Sequence, residues 1–391
     1  MKKLSVMSLI GAALLVASGA YAGPLADATS DTLWGIELGG YLDVSYTYNF
    51  NEPDDGDNAI GGRAFATDDD EIQLNAFQLY IDRLPEDVEE AGFRFDILAG
   101  EDASAIGDLW GSDDDISIYQ AFISYIAPVG NGLTIDLGRF ATWHGYEAIE
   151  SPANDQFSRS LLFTYMQPYT HTGIRLTYPI NDQWEVSGGL TQGWDVVDDN
   201  NDAWSFHGAI RWMPMENVYI QNSVAYGPEN RNANFDNNVV GHESNDDYTF
   251  LYDLVATWQI DESWTVGANF DYSTTEDSLI VNGKADDVDA WGIGGYARYD
   301  VNEDMYIALR GEWIDADEGF GDYSSNDIKY IVAEDSEMWE VTVTLGYTIT
   351  DGLLTRLEYR HDDADEDIFL DEDDGVEDTQ DTIALEVIYA F

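Results

Sequence analysis

The chain contains no cysteine among its 391 residues, and 16 lysines and arginines stand against 77 aspartates and glutamates, a formal net charge of −61. Without cysteine there can be neither disulfide bonds nor attachment of a c-type haem. So large an acidic excess argues against nucleic acid as a partner, because a polyanion would be repelled. After Val16 no apolar run reaches the roughly 20 residues of a helical membrane span, and the mean hydropathy is −0.30. Any membrane crossing must therefore use strands, whose alternation dilutes the hydropathy of each segment. What the chain does hold in quantity is aromatic: 12 Trp, 24 Tyr and 16 Phe. These recur at the ends of alternating segments, as girdles at two membrane interfaces would.

Both termini carry signals of export. In residues 383–391 alternate positions put Phe391, Tyr389, Val387, Leu385 and Ile383 on one face, with Ala390, Glu386 and Ala384 on the other. A strand apolar on one side and ending in an aromatic resembles the signal by which the barrel assembly machinery recognises bacterial outer-membrane β-barrels, with Phe391, Tyr389 and Val387 as its candidate residues. At the other end Lys2, Lys3, a short apolar stretch and Ala20-Tyr21-Ala22 fit a signal peptide over residues 1–22, leaving one domain over residues 23–391. The apolar stretch is too short to span a membrane as a helix.

Segments of alternating polarity recur at a spacing close to one tilted strand of about ten residues plus a connection. In the first, Ile36, Leu38, Gly40, Leu42, Val44, Tyr46, Tyr48 and Phe50 share a face against Glu37, Gly39, Tyr41, Asp43, Ser45, Thr47 and Asn49. The others centre on residues 77–82, 93–98, 119–125, 133–138, 174–178, 184–190, 204–212, 218–226, 248–258, 264–272, 291–299, 305–313, 339–347, 353–359 and 383–391. This pattern predicts an all-β transmembrane antiparallel barrel of about sixteen strands.

The connections alternate in kind. Short ones at 179–183, 213–217, 260–263, 300–304 and 350–352 carry Pro, Gly, Asn and Asp. Long, mostly acidic ones occupy 51–70, 101–115, 144–169, 227–246, 273–287, 315–336 and 361–378. Short periplasmic turns opposite long extracellular loops is the outer-membrane arrangement, whereas a soluble sandwich has no such strict alternation.

Four stretches carry a family likeness: GYLDVSYTYNFNEP from Gly40, YQAFISYIAPVGNGLTIDLGRFATWHGYEAIESPAN from Tyr119, SRSLLFTYMQPYTHTGIRLTYPI from Ser158 and GWDVVDDNND from Gly193. They resemble the OmpL-like beta-barrel porin family and anchor the first half of the chain, out to about Asp202. The resemblance implies a pore in the outer membrane of a Gram-negative bacterium. It assigns no solute to particular residues.

Arg94, Arg175, Arg211, Arg298, Arg310, Arg356 and Arg360 fall on the polar faces of their strands. A guanidinium facing lipid at the midplane costs about 2–4 kcal/mol, so these residues are expected to face the lumen. Asp43, Asp82, Asp96, Asp136, Glu185, Asp253, Asp271, Glu312, Glu340, Glu358 and Glu386 share that parity. They read either as paired charges filling the wall or as the lining of a water-filled passage, since a dry core holds so many ions poorly.

In general sixteen-stranded porins the third long loop folds inward and narrows the pore. By that analogy residues 144–169 supply the constriction candidates Glu147, Glu150, Asp155 and Arg159; the other reading has this loop merely covering the mouth. The acidic clusters at 198–202 and 371–375 lack EF-hand spacing and read as solvated loop tips, with loose divalent bridging to lipopolysaccharide as a lesser role. His144, His171, His207, His242 and His361 form no motif for catalysis, and His207 reads as wall beside Arg211. Gly35, Gly39, Gly40, Gly188, Gly189, Gly292, Gly294 and Gly295 lie inside strands, where bends or bulges account for them.

These readings lead to a barrel that passes small hydrophilic solutes and ions by diffusion with a preference for cations, without cofactor or metal. Its partners would be outer-membrane lipid and lipopolysaccharide and, as a homotrimer, its own copies. Two rivals are a barrel enzyme of the outer-membrane lipase or protease type and an adhesive or structural barrel with an occluded lumen.

Overall fold

A computed structural model describes residues 35–53, 60–106, 116–196, 202–229, 248–281, 284–317, 336–372 and 375–391. The expected signal peptide lies outside the described residues. The strands are β1 (Glu37–Asn49), β2 (Ile72–Arg83), β3 (Ala91–Ala99), β4 (Ile116–Ala127), β5 (Leu133–Ala141), β6 (Thr170–Asn181), β7 (Trp184–Trp194), β8 (Ser205–Met215) and β9 (Val218–Gly227). They continue as β10 (Thr249–Gln259), β11 (Trp264–Val281), β12 (Lys284–Asn302), β13 (Met305–Ala316), β14 (Ser336–Thr350), β15 (Leu353–Ala364), β16 (Phe369–Asp371), β17 (Gly375–Glu377) and β18 (Thr379–Ala390).

All but β16 and β17 form one closed antiparallel barrel in sequence order, with β18 returning to β1. Closure pairs Val44 with Val387 and Tyr46 with Leu385, and the Gly40 and Phe391 backbones exchange two hydrogen bonds of 3.0 Å. Within the barrel no strand edge is left unpaired. Each of the sixteen expected segments lies within a wall strand or overlaps one to within two residues.

Polarity decides which way each side chain points. In β14 Val341, Val343, Leu345 and Tyr347 are exposed on the outer face, while Glu340, Thr342 and Thr344 are fully buried inside. A one-residue slip would turn every charge into lipid, so the register is strongly specified. Aromatic pairs mark the interfaces: Trp184 stacks on Trp212 at 5.4 Å, and Trp264 meets Tyr299 at 4.8 Å, both beside short turns.

The long connections depart from expectation in places. Residues 273–287, expected as a loop, belong mainly to the hairpin of β11 and β12, which pairs as far as Val281 with Lys284. The acidic residues there masked Leu279-Ile280-Val281, a run of strand-forming residues. The 361–378 connection carries the β16–β17 hairpin. Two single-turn helices, α1 (Glu101–Ala105) and α2 (Leu161–Tyr165), sit in other loops. Loop residues Phe65, Ile106, Ile149 and Phe163 join inward wall residues such as Tyr41, Leu98 and Tyr306 in an apolar core inside the barrel.

Candidate functional site

The connection 144–169 enters the barrel and lies against its inner wall. Glycines on the wall make the room. A Cβ on Gly267 would stand 2.3 Å from the Tyr146 ring, one on Gly189 3.1 Å from Trp143, and one on Gly294 3.0 Å from Leu162. Tyr146 in turn stacks on Tyr296 at 3.9 Å. Gly189 and Gly294, read from the sequence as sites of bending, thus serve as seats for the loop. At the turn into α2, Ser160 accepts the Phe163 amide at 3.0 Å, an N-cap that fixes where that helix begins.

A loop inside a barrel brings backbone groups that need partners, and wall charges supply them. Glu358 accepts the amides of Phe157 and Ser158 at 2.7 and 2.9 Å, and Glu312 accepts that of Leu161 at 2.6 Å. Arg310 donates to the Ser158 carbonyl at 2.6 Å, Arg360 to that of Arg159 at 2.6 Å, and Arg356 to those of Ser151 at 3.1 Å and Asn154. Asp43 accepts from the Ser151 hydroxyl. Gln167 reaches Asp271 at 2.6 Å.

The four constriction candidates fall into different surroundings. Glu147 is buried between Arg310, at 2.7 Å, and the Ser160 amide, at 2.7 Å. Glu150, partly exposed, accepts from the Tyr119 hydroxyl at 3.0 Å. Arg159 is buried and donates to the carbonyls of Ala148 and Phe157 at 2.9 and 2.6 Å. Asp155 pairs with Arg298 at 2.6 Å, and about a quarter or more of each side chain remains in contact with solvent, 29% and 26%.

The remaining wall charges pair among themselves. Arg94 bridges Asp96 at 2.9 Å and Asp82 at 3.4 Å, Arg175 meets Asp136 at 2.9 Å, Arg211 meets Glu185, Arg310 meets Glu340 at 2.8 Å, and Arg356 meets Glu386 at 2.9 Å. Asp43, Arg94, Asp96, Asp136, Arg175, Arg211, Arg310, Glu312, Arg356, Glu358 and Arg360 all face inward as expected, but every one is buried. Of the two readings of these charges, the paired one describes most of them: they are paired wall and loop anchor. Solvent reaches Glu185, Arg298 and Asp300 near the short turns, together with Asp155 of the loop.

Two further loops come inward, which the sequence reading did not foresee. Arg63 of the first loop reaches Asp362 of β15 at 2.9 Å and Thr382 of β18 at 2.8 Å, on the strands that follow β1 around the wall. In the second, α1 buries Asp102 at 4.0 Å from Arg159. Burial, opposed by Arg159 and reinforced by Asp43 and Glu101, pushes the Asp102 carboxyl up to about 8.

A histidine cluster also escaped the sequence reading. His144 at the root of the inward loop, His171 on β6 and His207 on β8 are all buried, with one ring nitrogen from each lying within 4.8 Å of the others. The available signal was inward parity at the outer ends of two strands that flank β7, but His144 comes from a loop that no periodicity places. The acidic clusters lie partly outside the described residues, as does His242. The proposed assembly residues Val387, Tyr389 and Phe391 are 39%, 49% and 40% exposed on the lipid face.

Comparison with known proteins agrees with this architecture. The profile of the family described as "Putative beta-barrel porin-2, OmpL-like" matches residues 35–391. No curated protein matches the sequence. Among solved structures, the outer-membrane channel DcaP of Acinetobacter baumannii superposes with a TM-score of 0.60 at 11% identity, covering 92% of this chain and 99% of its own. A loop L8 deletion mutant of OmpT, an outer-membrane protein of Vibrio cholerae, gives 0.59 at 10% identity over 91% and 99%. An anion-selective porin from Comamonas acidovorans gives 0.57 at 10% over 91% and 99%. At such identities the likeness is one of fold. The family match, spanning nearly the whole barrel, carries the assignment: the chain belongs to the OmpL-like family of β-barrel porins of the Gram-negative outer membrane.

Proposed function

We propose that this porin passes small hydrophilic solutes and ions by passive diffusion along a path narrowed by the 144–169 loop, with modest preference for cations. The observation that carries the reading is the charge left in contact with solvent at the periplasmic end. Glu185, paired with buried Arg211, and Asp155 and Asp300, both paired with Arg298, stand there, three acids to two arginines, in a chain of net charge −61. Fixed negative charge concentrates cations and repels anions over a Debye length of about 10 Å at 0.1 M salt. Asp155 is the constriction residue that meets passing ions; Glu147, Glu150 and Arg159 shape the narrowing by holding the loop.

The reading favours a non-enzymatic channel over a barrel hydrolase: among the described residues most buried polar groups of the lumen are engaged in pairs and loop contacts, and in the serine–histidine contact of Ser223 with His144 the hydroxyl proton goes to Asp253, not to the imidazole. Assembly as a homotrimer, with lipid and lipopolysaccharide around it, is supported by the fold shared with OmpT of Vibrio cholerae, solved in a trimer form. Burial of the wall charges favours one second reading, a barrel held closed by its plug. Single-channel recording separates the two: discrete steps with a cation-selective reversal potential support diffusion, whereas folded protein that does not conduct supports the closed barrel.

A further inference from the structure

We propose that His144, His171 and His207 form a binding site for a divalent transition metal, of which zinc fits best. The three rings take part in none of the ion pairs described above, although Arg175, paired with Asp136, lies over the Trp143 ring beside them, and the proposal does not depend on what the channel passes. The three rings approach closely, with centroids 5.5 Å apart for His144 and His207, 6.1 Å for His144 and His171, and 4.2 Å for His171 and His207. Gly189, paired with His207 across β7 and β8, has no side chain to separate the rings.

Each imidazole has one nitrogen anchored by a hydroxyl. His144 Nδ1 lies 2.8 Å from Ser223 Oγ, whose own proton goes to Asp253 at 2.7 Å. His207 Nε2 lies 2.9 Å from Thr191 Oγ1, and His171 Nε2 lies 3.1 Å from Thr142 Oγ1. The other nitrogens are the ones available to a metal. His144 Nε2 and His207 Nδ1 are 3.2 Å apart, close to the edge of about 3.3 Å that Zn–N bonds of ~2.0–2.1 Å give a tetrahedron. His171 Nδ1 is buried and makes no hydrogen bond of full geometry among the described residues, with the Gly193 backbone as its polar neighbour outside the cluster.

Orienting each ligand through its second nitrogen is how metal-binding histidines are held. A simple hydrogen-bonded packing cluster gives no reason for a buried nitrogen left over on the third ring. All-imidazole ligation suits zinc, copper or nickel and disfavours magnesium and calcium. Three protein ligands leave a fourth position for water. The bound ion would tie the root of the inward loop to β6 and β8, and Asp253 behind Ser223 would offset part of its charge.

The test uses full-length protein without a histidine tag, folded in detergent with Zn²⁺ and a large excess of Mg²⁺ to occupy the acidic loops, then desalted and assayed for metal. One zinc per chain is expected, falling to background in a His171→Asn/His207→Asn double variant and unchanged in His361→Asn, whose ring pairs with Asp381 elsewhere. Heat-modifiable gel mobility reports whether each variant has folded. A second reading needs no variant: Co²⁺ on the wild-type protein is expected to give the intense visible absorption of four-coordinate, nitrogen-ligated cobalt. Zinc at background in the wild type, zinc retained by the folded double variant, or only the weak spectrum of six-coordinate oxygen-ligated cobalt would overturn the site.

Discussion

Glu358 of β15 accepts the amides of two successive loop residues, Phe157 at 2.7 Å and Ser158 at 2.9 Å, with one carboxylate oxygen for each. A side chain whose parity suggests pore lining is thus a clamp on the backbone of the inward loop. Buried and opposite two N–H groups, it replaces the water those groups lose on entering the barrel.

Glu358→Ala leaves both amides buried and unpaired, at a cost of about 1–3 kcal/mol for each. The backbone ladder of the wall does not depend on this side chain, which on the wall accepts the Thr344 hydroxyl at 2.8 Å, so the expected result is a loosened loop in an intact barrel. Single-channel current should be larger and noisier than wild type while the heat-modifiable gel shift persists. Unchanged current would show that Glu358 does not hold the loop.

Gly267→Leu tests the apolar seat. Its Cβ would lie 2.3 Å from the Tyr146 ring, which cannot retreat because it stacks on Tyr296 at 3.9 Å. Overpacking of this kind costs about 1–3 kcal/mol, relieved here by displacing the loop. Increased conductance and faster proteolysis within residues 144–169 are expected; wild-type values of both would contradict the seating.

The pH dependence follows from Asp102. Burial pushes its folded carboxyl up to about 8, far above the ordinary value near 3.9. A raised value stabilises the fold fully below the unfolded titration and loses that stabilisation as pH rises through about 8. Thermal stability of the wild type should therefore fall between about pH 4 and pH 8 and level off above it, and Asp102→Asn, which stays neutral, should flatten that slope. Parallel slopes for the two proteins in circular dichroism melts would remove Asp102 from the account.

Deleting Phe391, or replacing it by Asp, is expected to reduce sharply the protein assembled in the outer membrane. The residue sits at the seam, exchanging backbone hydrogen bonds with Gly40. Normal amounts of both variants in outer-membrane fractions would show that the terminal aromatic is not read during assembly.

Sixteen strands were legible in the sequence because lipid imposes a period of two on every segment, as in Leu42, Val44 and Tyr46 against Asp43, Ser45 and Thr47. Parity likewise placed Arg310 and Glu358 inside. What parity cannot say is what meets a side chain once inside, and here the loops decide. Phe65 and Ile149 are isolated apolar residues in their loops and Leu161-Leu162-Phe163 is a run of three, with no period to mark them as buried. The histidines were hidden for a related reason: His144 and His207 touch across 63 residues of sequence. Gly267 and Gly294 were equally mute, since a glycine that seats a ring and one that lets a strand bend look alike in sequence.

The central claim, a narrow cation-preferring passage beside a docked loop, is tested most directly by the reversal potential of purified protein in a planar bilayer across a potassium chloride gradient. Discrete conductance steps with a potential of cation-selective sign are predicted, weakening as salt rises and reduced by Asp155→Asn. Failure of folded protein to conduct, or a potential of anion-selective sign set by Arg298, would contradict it.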